Sequence, residues 1–80
     1  VAIRFVGIDP ETPGGNCPAV YVDDATGDLL IQGWTITDLA ELAAMAEHSP
    51  LLPNETIVRL PARMLGIVRE ACERASAFVR

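Results

Sequence analysis

The sequence predicts an α+β fold: one small antiparallel four-stranded sheet, ordered β-β-β-α-β-α along the chain and packed against a C-terminal amphipathic helix. Three observations predict it. Up to Trp34 the chain holds short runs of β-branched and aromatic residues broken by Gly, Pro and Asp, the pattern of half-buried strands joined by turns. Two later segments switch to a helical period, with apolar residues at i, i+3, i+4 and i+7. Finally, 80 residues, half of them apolar, make a single domain, 1–80, with no length left for a second core.

The first strand is expected over Ala2–Ile8, where Ile3 and Phe5 lie on one side and Arg4 on the other. Its loop, DPETPGGN, holds two prolines, two glycines and two acids, which is turn chemistry without periodicity. Ala19–Val22 and Leu29–Trp34 then form a hairpin closed around DATG, with Gly27 supplying the left-handed residue. That closure sets Val20 opposite Ile31, Val22 opposite Leu29 and Tyr21 opposite Leu30. Continued outward, the same register sets Cys17 opposite Trp34.

A thiol beside an indole packs as a small hydrophobe, so Cys17 and Trp34 are read as structural. A reactive thiol needs a helix N-terminus, a basic neighbour or a histidine base. The residues around Cys17 offer acids instead, and the one histidine, His48, is distant in sequence. A small thiol-redox protein or enzyme using Cys17 is the alternative.

From Thr37, the expected N-cap, the helical period runs through Leu39, Leu42, Ala43 and Ala46, with Asp38 in the first turn where the macrodipole favours an anion. Ser49-Pro50 stops it near His48, which is read as solvated beside the last carbonyls. Thr56–Leu60 alternates as a fourth strand, and Pro61 opens the longest helix, its fixed φ suiting the first helical position. On that helix Ile67, Phe78, Ala71, Met64, Ala75, Val68, Val79, Cys72 and Leu65 share an arc of about 160°. Val68 and Cys72 are therefore read as core, with a Cys17–Cys72 bridge as the alternative for the thiol.

So wide an arc exceeds what one helix needs to cover such a sheet. Either Leu65 and Val79 at one border, or Ile67 and Phe78 at the other, contact a second chain, or the smaller helix packs there. Arg63 stands at the positive end of the last helix, where the dipole disfavours it, and calls for an acidic partner from this chain or another. With Arg59 nearby, these residues make up the candidate interface: Leu65, Ile67, Phe78, Val79, Arg59 and Arg63.

Five Asp and six Glu face six Arg and no Lys, a net charge of −5. Such a surface repels phosphate backbones and attracts basic proteins, so direct nucleic-acid binding is not expected. No 18-residue apolar run and no signal peptide is present, and the two cysteines do not make a disulfide framework, so a cytoplasmic protein is expected. Gly14-Gly15 lacks the spacing of a phosphate loop, and Asp23, Asp24 and Asp28 lack that of a calcium loop. No cofactor and no catalytic or metal-binding residue is predicted. For an 8.6 kDa chain the expected apolar burial is nearly cancelled by conformational entropy, which favours a homodimer or a bound partner.

The runs GGNCPAVYVDDATGDLLIQGWTITD and NETIVRLPARMLGIVREAC resemble small actinobacterial proteins that are commonly encoded beside helix-turn-helix transcriptional regulators. Through Gly14–Cys17 and the following strand the chain is also distantly similar to the BldB group, although the LPARM segment and the long last helix are not typical of that group. The resemblance implies an accessory or antitoxin-like regulatory role with a helix-turn-helix regulator as partner, and it supplies no catalytic residues.

Overall fold

In the computed structural model, which describes residues 2–12 and 18–79, the chain is α+β with two antiparallel sheets. β1 (Ile3–Ile8), β2 (Ala19–Asp23) and β3 (Leu29–Gln32) form the first, in the order β1-β2-β3. β4 (Trp34–Thr35) and β5 (Val58–Arg59) form the second. The helix α1 (Leu39–Ala46) lies between β4 and β5 in sequence, and a 3₁₀ turn (Ala62–Met64) leads into α2 (Leu65–Ser76).

The hairpin register is the one expected from the sequence: Val20 pairs with Ile31, Tyr21 with Leu30 and Val22 with Leu29. Gly27 closes the turn at φ 81°, a conformation that side chains disfavour. Its N–H donates to the Asp23 carbonyl at 2.8 Å. A register shift between Phe5 and Gly7 brings Val6 into the packing around the core.

A single four-stranded sheet is not what forms, and the element order differs from the expected one. The predicted strand Leu29–Trp34 is cut at Gly33. A Cβ on Gly33 would stand 2.7 Å from the Arg59 carbonyl oxygen and 3.1 Å from the Val58 Cβ. Only glycine admits so close a backbone approach without a shift. The chain therefore leaves β3, and Trp34 pairs with Arg59 and Thr35 with Val58. Trp34 is exposed in this second sheet, and the expected Trp34–Cys17 opposition falls on a residue outside those described. Cys17 itself, like the GGN before it, lies outside the described residues.

Two helix starts also differ from expectation. Asp38, not Thr37, caps α1, its Oδ1 accepting from the N–H groups of Ala40 at 2.8 Å and Glu41 at 3.2 Å. Pro61 precedes a 3₁₀ turn, its carbonyl accepting from the Met64 N–H at 2.9 Å, before the α-helix begins at Leu65.

The core is one cluster between α2 and the inner face of the first sheet. Val20, Val22, Met64, Ala71 and Ala75 are buried, with Val6, Leu29, Leu60, Ile67, Val68 and Phe78 packed around them. Val68 packs against this cluster and is partly buried. Cys72 does not: it is a free, exposed cysteine. The reason is width. On the helical wheel Met64, Ala71 and Ala75 define the covered line, and Cys72 lies about 80° from Met64, beyond what a three-stranded sheet reaches.

Candidate interaction surface

Among the described residues the most buried charged group is Asp9, just past β1, and sequence reasoning did not single it out. Its Oδ1 accepts from Arg63 Nε at 2.7 Å and its Oδ2 from Arg63 Nη2 at 2.6 Å, the forked geometry of a bidentate arginine. The Thr12 hydroxyl also donates to Oδ2, and the Glu11 N–H donates to Oδ1 at 3.0 Å. The Arg63 guanidinium holds the Asp9 carboxyl well below the usual carboxylate range against the opposing effect of burial, helped by Thr12 and Glu11. Asp9 raises the Arg63 pKa in return.

This answers the question that Arg63 posed. Its acidic partner comes from its own chain, and the pair ties the end of β1 to the start of α2. Two signals in the sequence pointed to it: an arginine placed against the helix dipole, and an Asp-Pro-Glu-Thr turn in which a carboxylate can accept from the residues that follow.

The candidate interface residues separate into three groups. Ile67 lies against Gly7 of β1, and Phe78 packs beneath Arg4, whose guanidinium carbon is 5.7 Å from the ring centroid. That border of α2 is covered by the sheet. Leu65 and Val79, on the other border, are 66% and 65% exposed. Arg59 on β5 pairs with Glu41 of α1, both side chains remaining about half exposed.

Two larger apolar surfaces had no place in the sequence reading. The first is α1. None of its eight described residues is buried, Leu39 is 80% exposed, and the helix makes no extensive contact with any other element. The second is the outer face of the first sheet. There Ile3, Phe5, Ile8 and Leu30 are all exposed, and Phe5 meets Tyr21 edge-on with ring centroids 5.8 Å apart. An antiparallel sheet with one wet face normally alternates apolar with polar residues. The run Leu29-Leu30-Ile31 instead makes β3 apolar on both sides, and that was the available signal.

Among the described residues no group of His, Cys, Asp and Glu is arranged to hold a metal ion. No helix among them is long and apolar enough to cross a membrane. Protein-family models, curated proteins and solved structures give no match to this chain.

Proposed function

We propose that this chain is a small acidic, non-enzymatic interaction protein of the cytoplasm that acts as an accessory or antitoxin-like partner of a helix-turn-helix transcriptional regulator. The observation that carries the interaction role is exposed area. The chain has 5755 Å² of accessible surface, whereas a compact monomer of its mass has about 4,700 Å². Its radius of gyration, 14.1 Å, exceeds the roughly 11.6 Å of a compact 80-residue domain. The excess, roughly 1,100 Å², compares with the roughly 800 Å² that each partner buries in a standard interface. The regulator as partner rests on the resemblance stated above, and the net charge of −5 agrees with a basic one.

Co-expression with helix-turn-helix regulators of the same genome, starting with any encoded next to this chain's gene, tests the proposal. A stoichiometric complex that survives gel filtration and shifts the regulator's affinity for its operator is expected, with no operator shift by this chain alone. Failure of the two proteins to associate, or a salt-sensitive complex of this chain with DNA, refutes it.

A further inference from the structure

Resting on the interaction role, we infer that the free edge of β3 takes an extended segment of a basic partner protein as a fourth, antiparallel strand. The register fixes which main-chain groups are available there. The Asp23 N–H donates to the Asp28 carbonyl at 2.9 Å, and the same pairing continues from Val22 with Leu29 to Ala19 with Gln32. Hydrogen-bonded pairs alternate along an antiparallel ladder. Tyr21 with Leu30 and Ala19 with Gln32 are therefore the bonded pairs, and Leu29 and Ile31 turn their N–H and C=O groups away from β2. β3 is the last strand of its sheet, and no main-chain group among the described residues bonds to Leu29 or Ile31 on that side. Charges and bulges normally blunt such an edge. The opposite edge, β1, has Arg4 and the register shift between Phe5 and Gly7, whereas Leu29-Leu30-Ile31 has neither.

The same edge opens onto an apolar shelf. Leu29 and Ile31 pair with the core residues Val22 and Val20, so their side chains lie on the face that α2 covers. Ile31 is nevertheless 43% exposed. The last helix leans on β1, where Ile67 lies against Gly7 and Phe78 beneath Arg4. Its opposite border, Leu65, Cys72 and Val79, is thereby turned to the β3 side, and Val79 lies beside Gly27 at the head of β3. All three border residues are exposed. A strand added about 4.8 Å beyond β3 sets alternate side chains in the angle between Ile31 and this border, while its main chain answers Leu29 and Ile31. An extended peptide supplies both sets of groups at once. Charge selects a foreign segment over a second copy. Asp28, at the head of β3, is exposed and makes no ion pair among the described residues. An antiparallel segment passes Asp28 with its C-terminal end, where a Lys or Arg is favoured. A second copy instead brings a further −5 and is repelled.

Random-peptide phage display on the pure protein, followed by the enriched sequence as a synthetic peptide, tests the inference. The expected sequences carry apolar residues two apart with Lys or Arg on their C-terminal side. The synthetic peptide should slow amide exchange at Leu29 and Ile31, read by NMR. Its Kd should rise about tenfold for Ile31→Pro, which removes one edge N–H from a strand position that tolerates proline, and similarly for Leu65→Asn on the exposed border. Should Ile31→Pro fail to fold by circular dichroism, the peptide N-methylated at alternate residues takes its place and loses the same affinity. Enrichment of nothing, or of peptides without a basic residue, overturns the inference. So does binding indifferent to Ile31→Pro and to N-methylation. Exchange at Leu29 and Ile31 that slows with protein concentration alone identifies a second copy as the occupant and overturns it too. A regulator complex unaffected by Ile31→Pro and Leu65→Asn removes this edge and leaves the proposed function standing. A chain that binds the peptide here and associates with no regulator removes that function and leaves the edge.

Discussion

Met64→Ala tests the packing of α2, because Met64 is fully buried (0% exposed) at the centre of the core while its neighbour Leu65 is 66% exposed. The substitution deletes Cγ, Sδ and Cε, a transfer loss of about 2.4 kcal/mol at roughly 0.8 kcal/mol per buried methylene. If about 40 Å³ of the vacated space stays open, the cavity adds about 1 kcal/mol at roughly 24 cal/mol per Å³. The expected loss is thus about 3 kcal/mol, within the range of roughly 2–5 kcal/mol for such truncations. A domain of 80 residues has about 4–12 kcal/mol in all. Urea unfolding followed by far-UV circular dichroism, with Leu65→Ala as the companion, reads the difference. The midpoint should fall strongly for Met64→Ala at unchanged slope, and Leu65→Ala should lie within about 0.5 kcal/mol of wild type. A loss below about 1 kcal/mol for Met64→Ala, or equal losses for the two variants, would show that α2 does not seat on the sheet through this residue.

Gly33→Ala should push β4 off β5, because the new Cβ meets the Arg59 carbonyl at 2.7 Å. Fluorescence of Trp34, the one tryptophan, should change while the far-UV spectrum of the three-stranded sheet is retained, and an unchanged emission spectrum would refute the close approach. Asp9 contributes a defined pH dependence. Its folded pKa is depressed, so its stabilisation is complete above the unfolded value of about 3.9 and is lost as pH falls from there through the folded value. Asp9→Asn should therefore be less stable than wild type at pH 7 and show a flatter decline below about pH 4. Parallel pH profiles for the two proteins would refute the Arg63 pairing. Val68→Asp, which puts a carboxylate against the core, should leave the chain unfolded by circular dichroism at 25 °C.

Local rules settled much of the chain. The Asp23–Asp28 turn was legible because Gly27 can adopt φ > 0 and because two-residue periodicity fixes which side chains oppose each other once the turn is placed. The line Met64, Val68, Ala71, Ala75 was legible because helical period alone puts these residues on one face, whatever that face meets. Tertiary structure decided what period cannot reach. Whether Cys72, Leu65 and Val79 are covered depends on the width of the sheet beneath α2, and that width was set when Gly33 let Trp34 and Thr35 leave β3 for β5. Arg63 announced a missing carboxylate from its place against the helix dipole, but the identity of Asp9, 54 residues away, follows only from the packing of α2 across β1. The outer sheet face and α1 lie bare for the same reason: a hydrophobic pattern specifies that a surface seeks cover, and only the path of the chain in space determines whether its own residues provide it.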